Sequence, residues 1–433
     1  MKVTVLVAAT SRWFPTARLA IALAKAGFTV KAICPSRHPL CKTGTVQETY
    51  PYYGLAPIVS FANAIAAAKP DIIIPSDDLA TQHLHEVHLR KNRTGKAGEA
   101  ICALIERSLG SPESFAVVHA RTRMMELAQE EGVRVPKTGV VSNLEGLGKW
   151  VTSMGLPTVL KADGSSGGVG VRIVFTKEGA ERAFRSLASP PLLARAAKRA
   201  LVNGDTTLVW PSLLRRHPIV NAQVFVRGHE ATSTVACWEG NVLAALHFEV
   251  LSKSDSTGHA TVLRLIEDAE MSAATEKMVR RLKLSGMHGF DFVRDVDAGN
   301  TYLIEINPRT TQVGHLALGP GRDLPAALYA AVSGEAVKAA PMVTDKDTIA
   351  LFPQEWIRDS ASPFLRSAYH DVPWEAPELV LTCIRSRREQ ITWYSSKAGF
   401  RGHREFVSTA HECLTERRPR TGWVAKQAKS RIR

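Results

Sequence analysis

One octet constrains this chain more than any other segment. Residues 302–309 read Tyr-Leu-Ile-Glu-Ile-Asn-Pro-Arg, so apolar residues of a predicted strand alternate with polar ones. Alternate side chains of a strand lie on one face, and Glu305, Asn307 and Arg309 are therefore expected to lie together, with Ile304 and Ile306 turned inward. Oxygen ligands suit Mg²⁺, and a guanidinium suits phosphate or carboxylate. An ordinary edge strand with polar residues facing solvent is the alternative.

A second strand-like segment precedes the octet. Residues 289–294 read Gly-Phe-Asp-Phe-Val-Arg, and the residues between the two segments have turn composition. A hairpin centred on Ala298 sets Asp291 opposite Glu305, with Cβ atoms roughly 5 Å apart. Facing carboxylates repel each other unless a cation or proton lies between them, and Mg²⁺ is commonly held by such pairs. The pair predicts a magnesium site, and two solvated carboxylates on a surface hairpin are the alternative.

The composition is that of a globular protein. The chain has 433 residues, of which 45% are hydrophobic and 22% charged, and this length predicts two or three domains. No apolar run approaches the ~20 residues that span a bilayer. The first residues predict a strand and a helix rather than a signal peptide, so a cytoplasmic location is expected.

The six cysteines are scattered and include no Cys-x-x-Cys pair, which predicts free thiols. Cys34, His38 and Cys41 lie close together in sequence. A metal site there would need a fourth ligand, and none is spaced to complete it. Free thiols are therefore the favoured interpretation for this segment as well.

The charge is strongly basic. Lys and Arg number 55 against 41 Asp and Glu, a net charge of +14, and residues 417–433 contain seven Lys or Arg and no acid. Basic tails bind nucleic acid or acidic lipid. No nucleic-acid motif accompanies this tail, so a solvated tail is favoured and no nucleic-acid partner is expected. The basic balance also favours anionic substrates.

The N-terminal region predicts a doubly wound α/β unit. The first loop between strand and helix lacks Gly-x-Gly-x-x-Gly, so a dinucleotide fingerprint is absent. Asp77 and Asp78 follow a strand at the edge where open α/β sheets bind ligands, and a helix N-cap role for one of them is the alternative. Strands are expected at 3–8, 28–33 and 71–75, and helices at 16–27 and 58–69.

Further elements are predicted along the chain. Ser111-Pro112 is expected to open a helix, and a later helix to end at Gly132. Residues 156–161 read as a strand leading into a glycine-rich loop. In the C-terminal region, strand pieces are expected at 349–352 and 379–384, with no motif that reveals their role.

The glycine-rich loop occupies residues 161–171, Lys-Ala-Asp-Gly-Ser-Ser-Gly-Gly-Val-Gly-Val. Four glycines and two serines let backbone N–H groups close over an anion, and Lys161 would place a charge on phosphate. The loop is not a P-loop, because Gly-x-x-x-x-Gly-Lys is missing. A flexible hairpin turn is the alternative.

Loop and hairpin occur in the order and approximate separation seen in the ATP-grasp superfamily. Residues 113–330 resemble its carboxylate–amine ligases and the related carbamoyl-phosphate synthetases and biotin carboxylases. The resemblance implies α/β and α+β architecture with three parts: a Rossmann-like pre-ATP-grasp domain at 1–112, an ATP-grasp fold at 113–335 and a C-terminal extension at 336–433. The ATP-grasp fold would have two subdomains, the lid at about 150–222 and the metal-site subdomain at about 223–335.

The resemblance also implies ATP and two Mg²⁺ ions, with Mn²⁺ able to substitute. Asp291, Glu305 and Asn307 match the metal ligands, and Lys161 and Arg309 are the candidate catalytic residues. In the hinge, backbone groups would read the adenine edge and a carboxylate would bind the ribose hydroxyls. The positions matched to ATP are Arg121, Lys161, Ser165, Ser166, Gly167, Gly168, Gln223, Phe225, Val226 and Glu230.

Two positions depart from the family pattern. Arg121 stands where the family has a second ATP-contacting lysine, and it keeps the positive charge. Val224 stands where the hinge usually has an acid, so one contact on the adenine side is lost.

The chemistry that the resemblance implies begins with a carboxylate attacking the γ-phosphate of ATP. The products are an acylphosphate and ADP, and an amine then displaces phosphate. Arg309 would hold the carboxylate or the acylphosphate, and no covalent protein nucleophile is needed. The expected partners are a small-molecule acid and an amine, and a second copy of the chain, since many relatives are dimers.

Other functions stay open. The spacing from Pro308 to His315 is similar to that in carboxyaminoimidazole ribonucleotide synthetases and indicates a bicarbonate-using carboxylase, although Gly314 replaces the glutamate found in biotin carboxylases. His315 would transfer a proton or, alternatively, make a structural hydrogen bond. Arg121 and Val224 also fit a regulatory ATP-binding module without turnover. Nucleic-acid binding would rest on the basic tail alone.

Overall fold

The computed structural model describes residues 2–91, 95–163, 170–190, 193, 209–215, 217–338 and 340–384. Three β-sheets organise them: two with four strands and one with seven. The predicted mixture of α/β and α+β architecture is confirmed. Within these ranges, no helix is both long and apolar enough to cross a membrane.

The N-terminal sheet is parallel, with strand order β3-β2-β1-β4, and helices cover its buried apolar strands. Helix α1 ends at Gly27, whose φ of 119° lies in the left-handed region that favours glycine. The strands are β1 Thr4–Ala8, β2 Thr29–Cys34, β3 Glu48–Pro51 and β4 Ile72–Pro75, and the helices are α1 Phe14–Ala26, α2 Pro57–Ala68, α3 Asp78–Lys91 and α4 Lys96–Leu109.

The second sheet is antiparallel, with order β5-β8-β6-β7, and the apolar faces of its helices pack against it around Leu147, Leu160 and Phe184. We call it the lid sheet. Its elements, with the preceding helix α5, are α5 Arg121–Glu130, β5 Thr138–Val141, α6 Leu144–Met154, β6 Thr158–Ala162, β7 Val171–Val174, α7 Lys177–Ala188, α8 Val209–Leu213 and β8 Val220–Val224.

The seven-stranded sheet has the order β13-β12-β9-β10-β11-β14-β15, and an apolar core lies on each of its faces. Its strands are β9 Gly228–Trp238, β10 Asn241–Lys253, β11 Ala260–Ile266, β12 Gly286–Asp295, β13 Thr301–Asn307, β14 Thr348–Leu351 and β15 Tyr369–Asp371. Its helices are α9 Ala269–Arg281, α10 Leu324–Ser333, α11 Gln354–Arg358 and α12 Phe364–Ser367.

Strands β12 and β13 form the predicted hairpin, which we call the carboxylate hairpin, and Asp291 pairs with Glu305 as expected. The next pair is Phe292 with Leu303, so Ile304 is a bulged residue. The expectation that Ile304 points inward is therefore wrong: Ile304 is half-buried, whereas Leu303 is fully buried.

Two predictions about local structure are wrong. Residues 377–384 form a helix rather than a strand piece, because Leu379, Val380 and Ile384 recur at helical spacing and pack against α1. The helix expected at Ser111-Pro112 is only a short 3₁₀ turn, Pro112–Ser114. The strand expected at 349–352 is confirmed as β14.

The carboxylate hairpin docks on the N-terminal sheet just after its last strand. The backbone N–H of Thr310 donates to Pro75 O at 3.2 Å, and Thr81 Oγ1 donates to Pro308 O at 2.8 Å. The end of the octet therefore lies at the carboxyl edge of the parallel sheet, the edge at which such sheets bind ligands.

Candidate active site

Two carboxylates and an amide meet on one face of the carboxylate hairpin. Asn307 Nδ2 donates to Asp291 Oδ2 at 2.8 Å, and Glu305 lies directly opposite Asp291. Thr232 Oγ1 on β9 donates to Asp291 Oδ1 at 2.9 Å. The sequence did not point to Thr232, because no local pattern links a threonine to a strand far away in the chain.

The electrostatics of this group favour a bound cation. Burial raises the pKa of Asp291 to about 6, and the charge of Glu305 adds to the shift. Burial would also raise the pKa of Glu305, but the cations of Arg121 and Lys161 outweigh it and lower that pKa. A divalent ion would relieve the repulsion between the carboxylates, and their oxygens with the amide oxygen are the ligand type Mg²⁺ takes. The residues therefore fit the ion.

This set is small by the standards of protein metal sites. Within the described ranges, no group of three or more His, Cys, Asp or Glu residues is arranged to hold a metal ion. Asp291 and Glu305 are only two carboxylates, so an ion here would depend on Asn307 and on oxygens of a substrate.

Lys161 reaches the carboxylate hairpin from β6 of the lid sheet. Its Nζ donates to Ile304 O at 3.3 Å, and the side chain is buried. That carbonyl belongs to the bulged residue, and a bulge disrupts the regular ladder pairing. Burial lowers the pKa of Lys161, and the charge of Glu305 opposes the shift. The ammonium group therefore lies beside the carboxylates of the hairpin.

Arg121, the first residue of α5, connects the lid sheet to the hairpin. Its Nη2 donates to Glu305 Oε1 at 2.7 Å, and its Nη1 donates to Ala162 O at 2.7 Å and to Asp163 Oδ1 at 3.3 Å. A guanidinium can contact several oxygens at once, which a lysine cannot do with the same geometry. The arginine at this position therefore joins the lid sheet to the carboxylate hairpin.

Asp163 and Asn221 also belong to this group, although the sequence did not single them out. Asn221 Nδ2 donates to Asp163 Oδ1 at 2.8 Å, and Thr122 Oγ1 donates to Asn221 Oδ1 at 2.6 Å. The one available signal was the position of Asp163, which follows Lys161 by two residues at the end of a strand.

Arg309 lies between the hairpin and the N-terminal sheet. Its Nε is 3.2 Å from Asp78 Oδ2, its Nη2 donates to Asn307 Oδ1 at 3.1 Å, and its Nη1 donates to Thr310 O at 3.1 Å. The guanidinium also lies 5.6 Å from the ring centroid of Trp13. Glu305, Asn307 and Arg309 therefore come together as the octet predicts.

The two aspartates after β4 have separate roles. Asp77 accepts from Ala80 N at 2.9 Å and from Thr10 N at 2.7 Å, so it caps α3 and also holds the first loop. Asp78 faces Arg309 instead. The N-cap interpretation is thus confirmed for Asp77.

The hinge joins β8 to β9. The side chain of Gln223 turns toward the lid sheet, where Nε2 donates to Thr138 Oγ1 at 2.9 Å. Phe225 and Val226 are half-buried between the two strands. Glu230 is exposed, and its Oε1 lies 2.6 Å from Lys253 Nζ. In this structure the Gln223 side chain therefore bonds within the lid sheet, and the Glu230 carboxylate pairs with Lys253.

Four predicted ATP contacts lie outside the described residues: Ser165, Ser166, Gly167 and Gly168. The chain on either side is ordered as an antiparallel pair, and Ala162 N donates to Gly170 O at 2.9 Å. Lys161 of β6 and Val171 of β7 therefore lie opposite each other.

Two other histidines that were weighed as functional residues have structural partners. His315 Nε2 lies 2.7 Å from Asp371 Oδ2 in a buried contact, which supports the structural interpretation of His315. His38 Nδ1 accepts from Leu40 N at 3.0 Å, and its Nε2 lies 3.0 Å from Ser11 O. Both nitrogens of His38 are therefore engaged, which disfavours a metal site with Cys34 and Cys41.

Comparison with known proteins identifies one domain of the chain. The profile of the carbamoyl-phosphate synthase L chain, ATP binding domain, matches residues 120–318. The chain contains an ATP-grasp domain. The match covers α5, the lid sheet and the carboxylate hairpin. None of the curated protein sequences matches the chain.

Solved structures share this ATP-grasp fold at low identity. N5-carboxyaminoimidazole synthase from Aspergillus clavatus, in complex with ADP, is 14% identical with a TM-score of 0.57 over 78% of each chain. N5-carboxyaminoimidazole synthetase from Staphylococcus aureus with ADP is 16% identical, TM-score 0.55, over 78% of this chain and 79% of that one. The biotin carboxylase domain of Hydrogenobacter thermophilus 2-oxoglutarate carboxylase is 16% identical, with a TM-score of 0.54, and the match covers 77% of this chain and 70% of that one.

Proposed function

We propose that the chain is an ATP-dependent ligase that forms an acylphosphate from a small-molecule carboxylic acid and passes the acyl group to an amine, with release of ADP and phosphate. One observation carries the proposal: the opposed carboxylates Asp291 and Glu305 face two cations, Lys161 and Arg121, that come from the other side of the cleft. Such a group neutralises a transferring phosphoryl group.

Each side chain has a role in this proposal. Asp291, Glu305 and Asn307 would hold Mg²⁺, which supplies positive charge next to the phosphates. Lys161 and Arg121 add fixed positive charge from the lid sheet and α5, so the phosphoryl group would be surrounded by cations on several sides. Arg121 would exchange its contact with Glu305 for phosphate oxygens.

Arg309 is suited to hold the acid. Each terminal nitrogen carries two N–H groups, and the bonds to Asn307 Oδ1 and Thr310 O take one apiece. Arg309 would donate its other N–H groups to the two oxygens of a carboxylate. The contact with Asp78 keeps the guanidinium oriented.

ATP would lie in the cleft between the lid sheet and the carboxylate hairpin. The backbone at Gln223, Phe225 and Val226 would meet the adenine, and the serines and glycines of residues 165–168 would close over the phosphates. Glu230 would bind the ribose hydroxyls after parting from Lys253. We also propose that the N-terminal domain ends at residue 112 and that the ATP-grasp domain spans residues 113–335.

Bicarbonate is a second candidate for the acid. Its support is the similarity to the 2-oxoglutarate carboxylase domain, whose structure contains MgADP, ADP and bicarbonate. That structure is also a dimer, and we propose a homodimer for this chain. Light scattering during size-exclusion chromatography tests the assembly, and a monomer mass at all concentrations would contradict it.

Trapping of the acylphosphate tests the function. A panel of carboxylic acids, including bicarbonate, is incubated with ATP, Mg²⁺ and hydroxylamine, and both ADP and hydroxamate are measured. The proposal predicts that at least one organic acid gives ADP and hydroxamate in equal amounts. ADP release with bicarbonate alone would favour the carboxylase, and ATP binding with no ADP from any acid would favour a regulatory module.

Site variants assign that turnover to the carboxylate hairpin. Glu305→Gln and Asn307→Ala are expected to lower turnover by roughly a hundredfold or more, because fixed charge stabilisation at the phosphoryl group is lost. Glu276→Gln, on the exposed face of α9, is the matched control and should leave turnover unchanged. Full activity in Glu305→Gln would show that the site is assigned to the wrong residues.

A further inference from the structure

A cavity separates helix α3 of the N-terminal sheet from helix α5, and we call it the α3–α5 cavity. Glu305 and Arg121 lie at the end that it shares with the candidate active site. Its other walls come from α3, from the 3₁₀ turn Val117–His119 and from α5. A molecule inside it would therefore have one end next to the phosphoryl-transfer residues.

The walls of the cavity differ in chemistry. Asp78 and Gln82 lie one turn apart on the same face of α3, and they present a carboxylate and an amide. Val118, Met124 and Met125 form an apolar surface that also lines the cavity. A ligand with a cationic head and an apolar body matches both surfaces.

His119 is the imidazole that lines this cavity. Its Nε2 lies 3.0 Å from Nδ1 of His85, and the ring of His85 stacks on Phe115 with centroids 3.9 Å apart and an interplanar angle of 10°. His85 is thereby fixed, and among the described residues no hydrogen-bond partner is found for Nδ1 of His119, which is the atom left for a ligand. Burial lowers the pKa of His119, and the charge of Asp78 opposes the shift, so the ring is neutral near pH 7.

We propose that the α3–α5 cavity receives the nucleophile, a primary amine with an apolar substituent, and that Nδ1 of His119 accepts its proton. This inference rests on the proposed function. The ammonium group gives one proton to His119 and becomes the free amine. The nitrogen lone pair then forms the C–N bond to the acyl carbon, while the C–O bond to phosphate breaks. Phosphate leaves with that electron pair and takes the second proton from nitrogen.

His85 is a positioning residue in this scheme. When His119 donates Nε2–H to Nδ1 of His85, the lone pair of Nδ1 on His119 is free to take a proton, and the imidazolium that forms keeps its bond to His85. The charged or titratable groups that face His119 are Asp78 and His85 on α3, Arg121 on α5 and Glu305 on β13, with His88 and His288 behind His85.

The test compares two nucleophiles with one acid. Wild-type protein is given ATP, Mg²⁺ and an acid that supports hydroxamate formation, together with hydroxylamine or a panel of straight-chain alkylamines and amino acids. Hydroxylamine is largely unprotonated at neutral pH and does not require a base, whereas the alkylamines do. We expect amide from at least one amine of the panel.

His119→Asn should shift the ratio of amide to hydroxamate down by roughly a hundredfold at pH 7, the size of effect typical of a lost general base. The shift should shrink as pH rises, because more of the amine is then free in solution. His217→Asn, an exposed histidine of the lid region, is the matched control. An equal fall of both products, or no fall, would overturn the role of His119.

A second variant tests the cavity without touching its polar groups. Val118→Ala should move the preferred alkylamine to a longer chain, since the substitution enlarges the apolar wall. An unchanged preference would overturn the placement of the nucleophile. Hydroxamate without amide from any amine would overturn this inference alone, whereas a lack of hydroxamate from every acid would overturn the proposed function first.

Discussion

At the scale of the residue, Asp291 and Glu305 are an unequal pair. Glu305 has Arg121 and Lys161 beside it, whereas Asp291 accepts hydrogen bonds from the neutral donors Thr232 and Asn307 and feels the charge of Arg309 more weakly than its own burial. Burial and the charge of Glu305 raise the pKa of Asp291 to about 6. The folded chain therefore holds this proton more tightly than the unfolded chain, and the stability it contributes falls as pH rises from about 4 to about 6.

We predict that Mn²⁺ affinity, measured in the presence of ADP, rises with pH through this range. Binding of the ion displaces the proton of Asp291, so below about pH 6 the affinity should fall by about tenfold per pH unit and above it should level off. Electron paramagnetic resonance of free Mn²⁺ gives the affinity. Asp291→Asn corrects for the titration of ADP itself, and parallel curves for the two proteins would contradict the prediction.

Arg121 yields a second prediction at this scale. Arg121→Ala should raise the KM for ATP by roughly ten- to a hundredfold, the value of one or two charge-assisted hydrogen bonds, and Arg121→Lys should restore part of the loss. Arg123→Ala is the control, because Arg123 lies on the same helix but is exposed and pairs with Glu126. Steady-state kinetics measure the KM for ATP of each variant. An equal rise in the two alanine variants would refute the assignment of Arg121 to ATP binding.

At the scale of the element, the carboxylate hairpin shows what sequence can and cannot predict. Strand periodicity and turn composition fix the pairing of Asp291 with Glu305, since the hairpin centre follows from counting residues. The bulge at Ile304 is invisible to that counting, and so is the contact of its carbonyl with Lys161, which comes from a different sheet. Residues such as Thr232 and Asn221 were missed for the same reason: only the folded sheets bring them to the site.

Helix α3 provides a prediction about stability. Asp77 caps this helix and also accepts hydrogen bonds from Thr10 N and Thr10 Oγ1 in the first loop. Asp77→Ala should lower the free energy of unfolding by about 2 kcal/mol, since the cap and buried donors lose their partner. Urea denaturation measures the change. Asp345→Ala, at an exposed position, is the control, and equal stability of the two variants would be inconsistent with the cap.

At the scale of the whole molecule, the C-terminal region completes the seven-stranded sheet and returns to α1. Asp371 in β15 is buried between Arg18 of α1 and His315, which follows the octet. Burial would raise the pKa of Asp371, but Arg18 and His315 outweigh it and lower this pKa to about 2. One carboxylate thus ties together the N-terminal sheet, the segment after the carboxylate hairpin and the C-terminal region.

Asp371→Asn should therefore lower the free energy of unfolding by about 3 kcal/mol, because Arg18 loses the buried one of its two charged partners, Asp371 and Glu375. Since the pKa is depressed in the folded state, the stabilisation is complete above about pH 4 and is lost as pH falls toward about 2. Glu375→Gln is the control. This carboxylate also contacts Arg18, but it lies 3.4 Å from Arg18 Nη1 and is partly exposed, so its loss should cost less stability than the loss of Asp371. Thermal unfolding from pH 3 to 7 would contradict the account if both variants lost the same stability.

Transfer of ¹⁸O tests the central claim, phosphoryl transfer from ATP to a carboxylate, most directly. The acid that supports hydroxamate formation is labelled with ¹⁸O in its carboxylate and incubated with ATP, Mg²⁺ and the amine. If an acylphosphate forms, the bridging oxygen stays with phosphorus, and mass spectrometry will find one ¹⁸O atom in each inorganic phosphate released. Unlabelled phosphate in the presence of coupled product would contradict the account.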